Sequence, residues 1–431
     1  MSTNERAGDG ESVEARSDAP WQARLYPWVL GTWLLTRVIA VACIFLTPRL
    51  LDDVDIYRGW VPYLRWEQFP LADPKWQYPP GAGVVLLAPD VVHINYSVAF
   101  VVLALTVDAA IMALLLVAHH RRVGRSARSL WLWAVAALVV GPIMYTRFDI
   151  VPALFAVAFV LVAGRPVLAG MSAALGFVVK LWPFVLVIAL PRHSWRRGLL
   201  SFAVSTAVVL VALALRFDGI LSFLGNQRAR GLQVESTGAL PYELWALVDG
   251  RMKSGLEYGA YQVLMPGAEL VGTVVFAIGV IIIVLIAWWR FRGRLDNVSV
   301  GDMALTLVLV SVATSRVYSP QYNIWLVAVA AVALLDPASR MRRVAALVMA
   351  SSILTQVIYP WFPYDLTDGN PPVVLVQALR IIALVAAAAL AFRAILHKGG
   401  APVAILGSES ATPAPARSEE SWTSYPERRS R

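Results

Sequence analysis

An all-α, polytopic membrane bundle of about 12 crossing helices is the fold this sequence predicts, and three observations predict it. The chain is 58% hydrophobic and only 15% charged, and its mean hydropathy of +0.64 lies outside the range of soluble domains. Apolar runs recur at the roughly 20-residue length that lets a helix cross ~30 Å of hydrocarbon. The arginines fall in short clusters between those runs. The net charge of +9 therefore reads as cytoplasmic loops and excludes a nucleic-acid partner. The single cysteine, Cys43, lies inside the first apolar run, which excludes an intramolecular disulfide.

Taken in order, residues 1–22 are polar and read as a disordered cytoplasmic tail. The run 27–48 starts too late and runs too long for a cleaved signal peptide, so it is the first helix. An acidic outer loop, 50–80, follows. Residues 81–94 are too few to cross and predict an interfacial or re-entrant helix. Crossings are expected at 97–118, 129–144 and 149–163. The stretch 167–190 breaks at "KLWP", because Pro183 removes a helical donor and Lys180 is costly at mid-membrane. It predicts two short helices, 167–178 and 182–190, meeting near the outer face. Further spans follow at 199–215, 270–290, 301–315, 321–335, 343–358 and 372–396, closing a transmembrane domain over 27–398. The Ser/Pro-rich residues 400–431 predict a second disordered cytoplasmic tail.

The basic clusters orient the bundle. Arg121, Arg122, Arg125 and Arg128 fill one loop; Arg290, Arg292 and Arg294 a second; Arg340, Arg342 and Arg343 a third; Arg393 and Lys398 follow the last span. The positive-inside rule places all four in the cytoplasm with both termini, as expected of a multi-pass plasma-membrane protein. Segments 50–80, 145–149, 216–268, 316–320 and 359–371 then lie outside.

The residues with chemical potential gather on that side. They include Asp52, Asp53, Asp55, Tyr57, Trp76 and Tyr78, then Tyr145, Arg147 and Asp149. The long outer loop 216–268 adds Arg228, Arg230, Glu235 and Glu243, and the late turn adds Arg316, Gln321 and Tyr322. Aromatic rings stack on sugars, arginines pair with phosphate, and a carboxylate takes a proton from a hydroxyl, so the set suits a sugar-phosphate substrate. Plainer readings stand beside these. Trp and Tyr populate membrane boundaries in any case. Arg147 and Asp149 can form a local ion pair at the start of the helix near Ile150. Lys180 can snorkel, and the Glu235 loop can be a solvated connector. Asp108, in an otherwise apolar run, is either a structural hydrogen-bonding group or a functional one. The acids at 52–55 follow a helix C-terminus, where negative charge does not favour the helix dipole, so capping accounts for them poorly.

The ordered stretches "DVDIY", "WQYPPGAG", "YTRFDIVPALFA", "GFVVKLWPFVLVIALP" and "SPQYNIWLV" resemble the polytopic glycosyltransferases of the GT-C superfold. The similarity is greatest to glycosyltransferase family 87, actinobacterial alpha-mannosyltransferases that use polyprenol-phosphate-mannose. The resemblance implies a polyprenyl-phosphate-linked sugar donor in the lipid bilayer and a glycolipid or lipoglycan acceptor. It implies inversion at the anomeric carbon, with a first-loop aspartate as general base. The family's Asp-to-Tyr spacing selects Asp53 with Tyr57, Asp55 being the reserve. Donor phosphate falls to Arg316, Lys180 and Arg147, and the remaining substrate contacts to Tyr57, Trp76, Tyr78, Asp149, Glu235, Gln321 and Tyr322. The family's paired histidines after the late Ser-Pro turn are absent here, where the chain reads Ser319-Pro320-Gln321-Tyr322-Asn323. Mannose is therefore the family default only. No metal or cofactor is expected: Asp53-Val54-Asp55 has the Asp-x-Asp spacing, but a monophosphate donor needs no cation at a diphosphate. Competing classes are an ion-coupled secondary transporter, drawn from the broken helices and Asp108, and a lipid-linked oligosaccharide polymerase or ligase.

Overall fold

The computed structural model describes residues 20–121, 124–249 and 252–399. Residues 1–19 and 400–431 of the two expected tails, and Arg122 of the first basic loop, lie outside the described residues. The chain runs through α1 (Pro20–Leu46), α2 (Asp52–Arg65), α3 (Gly81–Leu87), α4 (Tyr96–His120), α5 (Arg128–Ala134), α6 (Ala136–Val140), α7 (Ile143–Thr146), α8 (Ile150–Leu161) and α9 (Pro166–Val179). It continues through α10 (Arg192–Ala214), α11 (Phe223–Ala229), α12 (Leu240–Asp249), a two-stranded antiparallel hairpin of β1 (Ser254–Glu257) and β2 (Ala260–Val263), and α13 (Ala268–Phe291). It closes with α14 (Val300–Ala313), α15 (Tyr322–Ala333), α16 (Arg342–Ile358), α17 (Pro363–Thr367) and α18 (Pro371–Gly399).

Among the described residues five helices, α1, α4, α10, α13 and α18, are long and apolar enough to cross a membrane, with shorter apolar helices between them. The shorter α14 and α15 are buried almost throughout and form the centre, which is why they read as apolar on every side. By contrast, α10 and α13 bury only 11% and 17% of their apolar windows. Those faces are left to hydrocarbon, so a bilayer is required to cover them. At the contact of α9 with α10, Gly170 lies against the Gly198 carbonyl with no room for a Cβ, the close approach that small residues permit.

The "KLWP" break is reproduced. α9 ends at Val179, Lys180 turns extended, and a 3₁₀ segment runs over Trp182–Ala189. Elsewhere the expected single span 129–144 is divided into α5, α6 and α7. Val135 interrupts its middle, and Gly141 at φ 81° followed by Pro142 stops the ladder again.

An arginine in the first span explains Asp108. Arg37 makes a two-pronged pair with it, at 2.8 and 3.0 Å, and both side chains are buried. Tyr145 adds a hydrogen bond to the same carboxylate at 3.1 Å, and Arg37 also donates to the Trp133 carbonyl. A buried pair is tolerated when its remaining hydrogen-bonding capacity is filled in this way. Asp108 thus joins α1, α4 and α7 as a structural group.

The connecting segments sort to two ends. At one, Tyr26 shares a hydrogen bond with His119, Ser126 donates to the Leu335 carbonyl, and Arg290 spans the carbonyls of Ala189, Leu190 and Val298. At the other, Asp53 meets Tyr359, Gln77 donates to the Tyr258 carbonyl, and the Gln233 amide donates to the Arg316 carbonyl. The arginine-rich loops share the first end. The segments 50–80, 145–149, 216–268, 316–320 and the start of 359–371 share the second.

Candidate active site

The acidic run at 52–55 opens a helix. After α1 the chain turns through a short 3₁₀ segment, Pro48–Leu51, and α2 starts at Asp52. Asp52, Asp53 and Asp55 therefore occupy a first turn, where free amides and the positive end of the dipole favour negative charge. The expectation that capping explains them poorly is corrected: they follow one helix but begin another. α2 is amphipathic and buries Val54, Tyr57, Val61 and Leu64, spaced three and four apart. That periodicity separates the acids. Asp52 and Asp55 face outward, whereas Asp53, one turn from Tyr57 on the same side, is only 20% exposed. Asp55 is 57% exposed, and its ion pair among the described residues is with Arg58, at 4.0 Å.

Asp53 is held by two groups. The Arg147 guanidinium pairs with its Oδ2, and the Tyr359 hydroxyl donates to the same oxygen at 3.2 Å. Oδ1 carries neither contact. Arg147 also approaches the Tyr57 hydroxyl at 3.5 Å, the outer limit of a hydrogen bond. Burial first, and then the Asp53 charge, pushes Tyr359 up to about 12, so it remains a phenol at neutral pH and a donor.

A second pair adjoins the first. Lys180 donates to Asp149 Oδ1 at 2.6 Å. Asp149 is 1% exposed at the start of α8, and its Oδ2 is buried with no partner among the described residues. Arg147 and Asp149, two residues apart, do not pair with each other as the local reading expected. Arg147 is extended while Asp149 enters a helix, so the two side chains diverge to partners on other elements. The Lys180 ammonium lies 5.1 Å from the rings of Phe148 and Trp325, 5.5 Å from Tyr78 and 5.6 Å from Tyr322, within cation–π range of each. Tyr57 and Tyr78 both contact Phe148, at 5.7 and 4.9 Å, so one aromatic wall spans both ion pairs. The "PPG" turn sets Tyr78 there. Gly81 backs so closely onto α9 that a Cβ would stand 2.5 Å from the Val178 carbonyl oxygen.

Around this centre, Gln321 opens α15 with a buried Oε1 that has no partner among the described residues. Trp76 is 1% exposed and stacks on Phe69 at 5.3 Å behind the wall, a packing position. Arg316 stands apart, donating to Thr273 of α13 at 2.7 Å, and is not brought to Asp53 or Lys180. Glu235 is no solvated connector: it pairs at 2.8 Å with Arg380 of α18, itself wholly buried and hydrogen-bonded to Thr355 and Gln377. Burial raises the Glu235 carboxyl despite the opposing pull of Arg380. Burial raises Glu243, which is wholly buried on α12, well above the ordinary carboxylate range.

Arg230 completes the neighbourhood. It follows α11 in extended backbone and lies within electrostatic reach of Lys180, Tyr78 and Tyr322. Its Nε is buried with no partner among the described residues. Tyr359 and Arg380 were not singled out in the sequence. Arg380, like Arg37, could have been flagged as a charge inside an apolar run.

A cavity of about 420 Å³ lined by Tyr26, Leu116 and His120 sits at the arginine-rich end, and another of about 290 Å³ lies along α2 beside Trp60, Tyr63 and Lys75. Neither is lined by Asp53 or Lys180. The model of glycosyltransferase family 87 matches residues 76–320, more than half of the chain. The match takes in Arg147, Asp149, Lys180 and Arg230. Asp53 and Tyr359 lie outside it and are tied to it through Arg147. No curated protein and no solved structure matches the chain.

Proposed function

The chain belongs to glycosyltransferase family 87, and from that premise we propose that it transfers a sugar, mannose by family default, from a polyprenyl-phosphate donor to an acceptor hydroxyl. The acceptor is a glycolipid or lipoglycan at the outer face of the plasma membrane. The carrying observation is the juxtaposition of Asp53–Arg147 and Lys180–Asp149 along one aromatic wall. It supplies a carboxylate for a hydroxyl and cations for a phosphate in one place. The gathering of the arginine clusters at the far end supports an outward site with both termini in the cytoplasm.

In this reading Arg147 and Tyr359 fix Asp53 through Oδ2, leaving Oδ1 to accept the acceptor's hydroxyl proton. The acceptor oxygen attacks the anomeric carbon from the face opposite the phosphate, and the bond from that carbon to the phosphate oxygen breaks. The configuration inverts, the proton remains on Asp53, and the polyprenyl phosphate leaves with the bonding electrons. Charge grows on the phosphate as that bond breaks. Lys180 and Arg147, already placed among low-dielectric aromatic rings, stabilise it without reorganising. Tyr78 and Tyr322 offer ring faces to the sugar. Nothing in the geometry favours ion-coupled transport, since Asp108 is held by Arg37 and Tyr145.

The test is transfer by the purified chain in proteoliposomes supplied with labelled polyprenyl-phosphate-mannose and an envelope lipid extract. Label should enter a new lipid as polyprenyl phosphate is released in equal amount. Absence of transfer from every polyprenyl-phosphate hexose offered would sink the reading. Transfer of another hexose would correct only the sugar.

A further inference from the structure

We infer that Arg230 is a third cation of the donor-phosphate site, delivered by the long segment 216–268. The inference rests on the polyprenyl-phosphate reading above. The site gathers three cations, Arg147, Lys180 and Arg230, and two carboxylates, Asp53 and Asp149; a third, Glu235, is within electrostatic reach of Arg147 but is taken by Arg380. Arg147 and Lys180 each have their carboxylate. Among the described residues Arg230 has none, and its Nε is sealed from solvent without a hydrogen bond. An uncompensated, partly buried guanidinium is costly, and an anionic ligand removes that cost. Two buried acceptors have no partner among the described residues: Asp149 Oδ2 in the site, and Oε1 of Gln321, the residue before Tyr322. These suit sugar hydroxyls, which donate, better than a phosphate, which only accepts.

Arg230 is placed rather than loosely tethered. Immediately after it the backbone is pinned: Leu232 accepts from Val263 of β2, Gln233 donates to the Arg316 carbonyl, and Val234 donates to the Tyr261 carbonyl. Glu235 is tied to the buried Arg380. The guanidinium fork matches two phosphate oxygens, where Lys180 meets the group as a point charge. Arg230 would then hold the phosphate from the outer segment, while Lys180 and Arg147 hold it from the bundle.

The experiment is equilibrium binding of a short-chain polyprenyl phosphate, with the matching phosphate-free polyprenol as control, to wild type, R230Q and R230K in nanodiscs. Each variant is first checked for a single elution peak and a wild-type melt. Wild type should prefer the phosphate. R230Q should weaken that binding roughly ten- to a hundredfold, the size of one or two charge-assisted hydrogen bonds. R230K, which keeps charge without the fork, should lie between. Polyprenol binding should be unchanged in all three. Polyprenyl-phosphate affinities within twofold in R230Q, R230K and a phosphate-preferring wild type would overturn the role of Arg230 alone. A wild type with no preference for the phosphate would overturn the donor reading, and this inference with it.

Discussion

Replacing Asp53 with asparagine removes the proposed base while keeping a side chain of the same shape. The structure allows two magnitudes to be worked out. Loss of a general base lowers turnover roughly 10²- to 10⁴-fold. Loss of the charge also unpairs Arg147, which is 13% exposed. Breaking a fully buried pair costs about 3–5 kcal/mol. Here Asp53 is 20% exposed, and the asparagine oxygen still accepts from Tyr359, so about 1–2 kcal/mol is expected. The two effects separate because donor affinity should not fall: Arg147, freed of its carboxylate, stays available to phosphate. The matched control is Asp55→Asn: Asp55 is 57% exposed and, among the described residues, its ion pair is the 4.0 Å contact to Arg58, so the variant should leave the rate unchanged and cost at most the roughly 0.3–1 kcal/mol of a first-turn charge. The assay is label transfer from polyprenyl-phosphate-mannose in proteoliposomes, with the phosphate-lipid titration alongside. Wild-type turnover in D53N, or a hundredfold loss in D55N instead, would refute the assignment of the base.

Three further outcomes are expected. Tyr359→Phe deletes one hydrogen bond to Asp53 Oδ2 and should lower kcat about two- to tenfold with the acceptor KM unchanged; a change in KM alone would point to substrate contact instead. Asp108→Asn strands a buried Arg37 and should cost about 3–5 kcal/mol in a melting assay, while turnover per folded molecule stays within twofold; lost turnover at full stability would contradict its structural role. Glu243→Gln tests burial of an acid. Because its folded carboxyl is raised, wild type and variant should match at low pH. As pH climbs through and above the ordinary glutamate value near 4.5, the unfolded chain releases a proton that the folded one keeps, so wild type should lose stability relative to E243Q. Parallel melting curves across that window would remove the effect.

Some of this was legible in the residues and some was not, for physical reasons. The break at Lys180–Pro183 was readable because a missing amide and a charge in an apolar run act locally. The grouping of the outer segments followed from arginine positions alone. The helix at Asp52 was missed although Val54, Tyr57, Val61 and Leu64 already carry a three-four spacing; the surrounding acids and arginines made the stretch look like a loop. Partner choice was out of reach. Arg147 and Asp149 are only two residues apart in sequence, yet their partners are fixed by how α2, α8 and α9 pack. Arg316 sits at the right end but turns to Thr273, a direction that no spacing encodes. Arg37 and Arg380 find carboxylates 71 and 145 residues away.

The most direct test is a structure of the inactive D53N variant with a polyprenyl-phosphate sugar bound. The account predicts the phosphate within hydrogen-bond reach of Lys180 and Arg147, with the anomeric carbon turned towards residue 53. A phosphate seated at Arg316 and Thr273, or a head group at the arginine-rich end of the bundle, would contradict it.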